Sequence, residues 1–202
     1  MKRIFLLLIA ISIVLLAERA EAQSLRVMPY GGISVDQRGE ITPGAILVGA
    51  DIFIGTFNDL LQFGVGMNGG QQYRHLFTES IGDTLTRPTL RGINAPSLYF
   101  LTALSIPAGK SSFHGPLIGV AGGVAFPDIE GLAQAEFFKI FTQVNYSFEL
   151  GPYSLGAFVQ GSFNFLYTST TTYSSGLVAG IIFTIPNVFT EGEIKSKNKG
   201  GS

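Results

Sequence analysis

The chain has 202 residues, 13 Lys and Arg against 14 Asp and Glu, 26 Gly, 17 Phe, and neither Cys nor Trp. Its 13% charged residues are about half the share usual for a soluble domain. The lack of Cys excludes a disulfide framework and thiolate metal sites, and a net charge of −1 leaves no electrostatic footprint for nucleic acid.

At the N-terminus, Lys2 and Arg3 precede an apolar run of 14 residues, Ile4 to Ala17, and Ala20-Glu21-Ala22 supplies small residues ahead of Gln23. This pattern predicts a signal peptide over 1–22. At ~1.5 Å per residue the run is too short to cross a ~30 Å hydrocarbon core as a helix. The domain expected to fold is therefore 23–186, with a polar periplasmic tail, 187–202, that carries Lys195, Lys197 and Lys199 and is expected to be disordered.

Between these ends the chain alternates at period two in eight segments separated by turn residues. The first, Ser24 to Asp36, puts Leu25, Val27, Ile33 and Val35 on one face and Arg26, Met28, Tyr30 and Ser34 on the other. Thr42 to Ile54 sets Ile46, Val48, Ile52 and Ile54 against Leu47, Gly49, Asp51 and Phe53. Leu60 to Gly69 sets Leu61, Phe63, Val65 and Met67 against Gln62, Gly64, Gly66 and Asn68. In Pro96 to Ile106 the alternation is blurred, because Tyr99 and Leu101 oppose Leu98, Phe100 and Leu104. The later segments are Pro116 to Phe126, Glu136 to Leu150, Tyr153 to Tyr167 and Ser175 to Ile185, with Gly, Ala, Ser, Gln and Asn prevailing on one face.

Which face is wet decides the class. Seven basic and ten acidic residues lie between Gln23 and Pro186, most of them in the connections. The non-apolar face is therefore mainly small and uncharged, as a narrow barrel interior requires, and the apolar face suits lipid. Strands in lipid must close, since every backbone polar group needs a partner there. The expectation is an all-β, eight-stranded, antiparallel up-and-down transmembrane β-barrel. The longest connection, Gly70 to Ala95, falls in the odd-numbered set, which a barrel with both termini periplasmic places outside the cell.

With its signal peptide, eight alternating strands and closing run Gly176-Leu-Val-Ala-Gly-Ile-Ile-Phe-Thr-Ile185, the chain resembles the small OmpA/OmpX-type outer-membrane barrels, including the opacity-type and PorT-like branches. The resemblance spans about Gln23 to Pro186 and implies a bacterial outer-membrane location, with outer-membrane lipid as its surroundings. Unlike barrels that end at a terminal aromatic, this chain continues to Ser202.

Chemistry is sparse. His75 and His114 fall on opposite sides of the predicted barrel, so they share no metal site and no acid–base pair. No catalytic residue, metal site or cofactor is predicted. Arg26, Asp51, Lys139 and Glu149 fall on the interior face. They read either as an ion path or as mutually paired charges filling a barrel just wide enough for side chains. A first hairpin turning near Gly39 sets Met28 opposite Asp51 and predicts an Arg26–Asp51 contact on the diagonal.

The long third connection alternates as well. A turn at Ile81-Gly82-Asp83 predicts a protruding hairpin in register with the membrane strands, pairing Asn68 with Pro96 and Leu60 with Leu104. It carries Tyr73, Arg74, His75, Phe77, Arg87 and Arg91, residue types enriched at binding hot spots. They read as a site for an extracellular or cell-envelope protein partner, against the alternative of a solvated loop. The function expected is structural or surface-interacting and non-enzymatic. A narrow channel for small solutes and, behind it, a lipid A-modifying enzyme are the alternatives.

Overall fold

The computed structural model describes residues 24–35, 46–56, 60–81, 85–106, 113–168 and 171–186; the predicted signal peptide and tail lie outside the described residues. Ten strands form: β1 (Ser24–Val35), β2 (Ile46–Thr56), β3 (Leu61–Gly69), β4 (Gln72–Ile81), β5 (Leu85–Asn94), β6 (Ser97–Ser105), β7 (Phe113–Ala125), β8 (Ala135–Leu150), β9 (Tyr153–Tyr167) and β10 (Thr171–Pro186). Eight close into an antiparallel barrel in the order β1-β10-β9-β8-β7-β6-β3-β2, and β4 with β5 forms a separate two-stranded sheet. One end of the barrel carries this hairpin; the other carries Ser24, Pro186 and the tight Gly151–Pro152 turn between β8 and β9.

Alternation becomes burial directly. Side chains pointing inward are buried, among them Met28, Phe53, Leu101, Gln143, Phe158 and Gln160, while Val48, Val65, Phe100, Ile118, Val159 and Leu177 are exposed on the outside. Aromatics cluster outside near both ends. Tyr146, Phe148 and Tyr153 flank the tight turn, and Phe126 and Tyr173 stand toward the hairpin. Tyr153 packs on Phe183 with ring centroids 5.7 Å apart, and Phe138 packs on Phe165 at 6.1 Å.

The β1–β2 register sets Met28 opposite Asp51, as the sequence predicts. The third connection differs. Asn68 pairs with Ser97 and Leu61 with Leu104, one residue from the expected register. Directly opposed residues share a face, and the expected register would have set inward Gln62 against Thr102 on the lipid face. The hairpin carries a further shift, with Gln72 on Asn94 and Ile81 on Leu85, so its centre is Asp83. The shift arises where Gly69, Gly70 and Gln71 on one side oppose only Ala95 and Pro96 on the other. Gly70 absorbs the extra residue at φ +81°, and a Cβ there would strike the Ile46 carbonyl.

Proline is placed where the ladders tolerate it. Pro88 lies opposite Thr78 in the hairpin, where a two-stranded sheet leaves a free edge for its missing N–H. Strand β7 begins at Phe113, before the expected Pro116, and its register against β8 shifts between His114 and Leu117, because Pro116 interrupts the donors.

Candidate functional site

Three of the four predicted interior charges are buried in the barrel: Arg26, Asp51 and Lys139. Glu149 is not. It has the inward parity of Asn145 and Ser147, but the last three residues of β8 are all exposed, because the strand there runs past the barrel rim beside the Gly151–Pro152 turn. Alternation gives the face of a residue, not its depth.

Asp51 is fully buried, and it has partners that the sequence did not point to. Tyr99 donates to its Oδ1 at 2.7 Å, and its opposite charge is Lys139. Oδ2 has no hydrogen-bond partner. Arg26 is opposite Phe53 in the register and so lies diagonally from Asp51. The Tyr30 hydroxyl lies 2.9 Å from that of Tyr99. Since the single Tyr99 proton goes to Asp51, Tyr30 is the donor in that pair. Lys139 Nζ donates to Tyr99 at 3.5 Å and sits 5.0, 5.2 and 5.7 Å from the centroids of Tyr99, Phe141 and Tyr30, within range for cation–π attraction. The arrangement is a buried carboxyl group and a buried amine, each bonded to Tyr99, braced by a second phenol and an aromatic box. Side chains from β1, β2, β6 and β8 meet in it, so it fills the middle of the barrel as a plug.

Glycine makes room for it. A Cβ on Gly66 would meet Asp51 Oδ1 and the Tyr99 ring, so β3 has to be bare where the Asp51–Tyr99 bond crosses it. Sequence reasoning placed Asp51 and Lys139 inside but missed the tyrosines that join them. The available signal was an aromatic on the polar parity facing a glycine across the ladder, as Tyr99 faces Gly66.

The second feature is the base of the hairpin. Gln71, Tyr73, Ile93 and Ala95 are buried, although they belong to the connection expected to protrude. Gln71 Nε2 donates to Ser34 Oγ of β1 at 2.8 Å and to Ser174 Oγ of β10, and the Gln72 amide donates to Ser34 Oγ at 3.0 Å. Strands β1 and β10 are not neighbours of β3 or β6, so these bonds carry the hairpin base across the barrel mouth. The β7–β8 connection is tied in as well, Asp128 N donating to Asn94 O at 2.9 Å.

This placement corrects the predicted partner site. Tyr73 is 0% exposed; its parity follows Gln71 into the mouth, so it is not a surface contact. Arg91 is exposed and Arg74 half-buried. The side chains of His75, Phe77 and Arg87 lie outside the described residues; their backbones pair with Arg91, Thr89 and Glu79. His114 is opposite Asn145 at the start of β7, at the far end of the barrel from the hairpin. Among the described residues no three His, Asp or Glu side chains gather as a metal site.

No protein-family model matches the chain, and no curated protein matches it. Among solved structures it is similar to neisserial surface protein A, at 15% identity and a TM-score of 0.48 over 82% of this chain and 98% of that one. It is also similar to the N-terminal β-barrel domain of Pseudomonas aeruginosa OprF, at 16% identity and a TM-score of 0.41 over 81% and 98%. The closed eight-stranded fold itself stands on the strand pairing.

Proposed function

We propose that this barrel lies in a bacterial outer membrane with both termini in the periplasm, and that it is a non-enzymatic protein presenting the β4–β5 hairpin to a protein partner at the cell surface. Three features support the membrane setting: an outward band of exposed Ile, Val, Leu and Phe around a closed barrel, aromatics near both of its ends, and an interior where the chain's buried Ser, Asn, Gln and charged side chains are gathered among apolar ones.

The observation that carries the interaction role is the hairpin itself. Its strands are ten residues each and form a sheet of their own, a reach of about 30 Å at ~3.3 Å per residue. Its base is anchored by Gln71 and Tyr73, so the protruding part is held at a fixed attitude; pre-ordering of this kind lowers the entropic cost of binding. With Tyr73 withdrawn, Arg91 and Arg74 are the described side chains left to meet a partner, and guanidinium groups are enriched at binding hot spots.

An epitope inserted between Ile81 and Leu85 tests the orientation. It is expected to bind antibody on intact cells; binding only after permeabilisation refutes the placement. A photo-reactive residue replacing Arg91 tests the partner. A discrete protein adduct is expected on intact cells, and its absence overturns the interaction role.

A further inference from the structure

We infer that the base of the β4–β5 hairpin is a strap that holds shut the hairpin-side half of the β1–β10 seam, so that the attitude of the hairpin and the closure of the wall are one equilibrium. The strap goes beyond the surface-partner reading and shares with it only the membrane-spanning barrel.

The seam is two ladders. Ser24 to Val27 pair with Phe183 to Pro186, and Tyr30 to Val35 pair with Ser175 to Gly180; Met28 and Pro29 between them make no pair on that side. In the hairpin-side ladder the pairs Tyr30–Gly180, Gly31–Ala179, Gly32–Val178 and Ser34–Gly176 each contain a glycine. Cross-strand side-chain pairs are what reinforce a sheet, and a strand glycine offers none. Inside, Tyr30 passes over Gly180 to meet Phe158 of β9 edge-on at 6.4 Å, which pins this ladder at the end next to the lapse. Leu47 of β2, opposite Gly32, leans toward Gly176, an apolar contact without direction. Each strand is also held from behind by an unbroken ladder, β1 by β2 from Ser24 to Ile33 and β10 by β9 from Thr171 to Thr184. When the hairpin-side ladder parts, each strand therefore stays with its own neighbour.

Gln71 closes the other end of that ladder. A carboxamide NH2 carries two protons, and Gln71 Nε2 places one on Ser34 Oγ of β1 and one on Ser174 Oγ of β10. The Gln72 amide adds a bond to Ser34 at 3.0 Å. Gln71, Ser34 and Ser174 are all 0% exposed, so solvent does not compete for these bonds. The backbone of Gln71 is fixed to the other strand of the hairpin base, its carbonyl accepting from the Ala95 amide at 3.0 Å. One residue thus ties together the two joints of the wall between strands that are not consecutive in sequence, β3–β6 and β1–β10.

Parting at this rim costs less than parting deeper in. Tyr173, two positions before Ser175, stands exposed on the outside toward the hairpin, at the level where aromatics mark a membrane interface. Backbone groups freed there meet interfacial water and not hydrocarbon. The Gln71 bonds and the ladder they close therefore form and break together, with the lapse at Met28 and Pro29 as the hinge. Losing contacts of this size moves an equilibrium by roughly 5- to 30-fold. Anything that holds the hairpin base more tightly in one of the two arrangements opens or closes the wall to the extent of that preference.

Amide hydrogen exchange on the full chain refolded into phosphatidylcholine nanodiscs tests this. A heat-modifiable band first shows that the barrel has inserted and closed; if wild type lacks it, the spanning reading falls and this proposal with it. Gln71→Met keeps the length of the side chain and removes its donors. The amides of Gly32 to Val35 and Ser175 to Val178 are expected to exchange roughly 5- to 30-fold faster than in wild type. Those of Leu25 to Val27, and of Ile140 and Phe163 in the β8–β9 ladder, should keep their rates. Unchanged exchange in the hairpin-side ladder overturns the proposal. Equal acceleration of all these amides overturns it too, because that marks a loss of stability in the whole barrel. If Gln71→Met does not refold, Ser34→Ala/Ser174→Ala removes both acceptors and is judged by the same pattern. A rescue adds a readout that general stability does not move. The chain has no cysteine, and Ile33 and Leu177 are directly paired, within the Cα separation a disulfide needs. In the Gln71→Met chain, oxidised Ile33→Cys/Leu177→Cys should restore wild-type exchange, and oxidised Val144→Cys/Val159→Cys, a pair on β8–β9, should not. Rescue by both disulfides, or by neither, overturns the proposal.

Discussion

Tyr99 holds the interior together through one oxygen, and replacing it with Phe deletes that atom while keeping the ring. The hydroxyl donates to Asp51 Oδ1 at 2.7 Å and lies 2.9 Å from Tyr30. A hydrogen bond to a charged group contributes about 1.5–3 kcal/mol and a neutral one about 1 kcal/mol. The Lys139 cation–π contact at 5.0 Å stays with the ring. Asp51 Oδ2 has no partner already, so Tyr99→Phe leaves the carboxylate without its Tyr99 donor, and the expected cost is about 3 kcal/mol. Tyr30→Phe loses the neutral bond and a marginal 3.4 Å contact to the Met67 carbonyl, about 1 kcal/mol. Reversible urea unfolding of the refolded barrel in lipid vesicles, extrapolated to water, measures both. A double-mutant cycle of Tyr99→Phe with Asp51→Asn should be clearly non-additive. Equal costs for the two phenylalanines, or additivity in the cycle, would refute the claim that Tyr99 is the bridge.

Gly66→Ala drives a methyl into Asp51 Oδ1 and the Tyr99 ring and should cost roughly 1–3 kcal/mol, whereas Gly161→Ala meets nothing within 4 Å and should fold as wild type; the urea midpoints of the two variants check the contrast. Val159→Arg, at an outward position 54% exposed, should lose about 2–4 kcal/mol in a bilayer, while Glu149→Lys at the exposed rim should change almost nothing. Similar vesicle stabilities for these two would argue that Val159 does not face lipid.

Much of the barrel was legible because lipid and lumen impose opposite chemistry on successive residues. Asp51 and Lys139 stood out on a face where Gly, Ser, Gln and Asn recur, and the β1–β2 register followed from a turn near Gly39. Less was legible wherever a strand carries apolar residues on both faces. In β6, Tyr99 and Leu101 pack inside the lumen, so the alternation that marks the lipid face elsewhere is blurred. The third connection was read as one continuous hairpin, but the extra residue at Gly70 breaks the register and turns Gln71 and Tyr73 into the mouth. A bulge is one residue of length; it leaves no trace in the hydrophobic pattern on either side of it. The Gln71 tie was invisible for another reason, since Ser34 and Ser174, 140 positions apart in the sequence, meet Gln71 only once the chain has closed on itself.

That closure has a temporal side. The wall is built of sequence neighbours everywhere except at β1 and β10 and where β3 meets β6 around the hairpin. Joining β1 to β10 brings the two ends of the domain together, so it carries the largest loop-closure entropy of any step. The same seam has a lapse in its ladder: Val27 pairs with Phe183 and Tyr30 with Gly180, but Met28 and Pro29 between them make no pair on that side, and Pro29 has no N–H to give. The seam should therefore zip last during insertion and exchange its amide protons soonest in the finished barrel. Val27 and Gly31 are the amides to watch, against slow exchange at Ile140 and Phe163 in the unbroken β8–β9 ladder. Slower exchange at the seam than in that ladder would contradict this order of assembly.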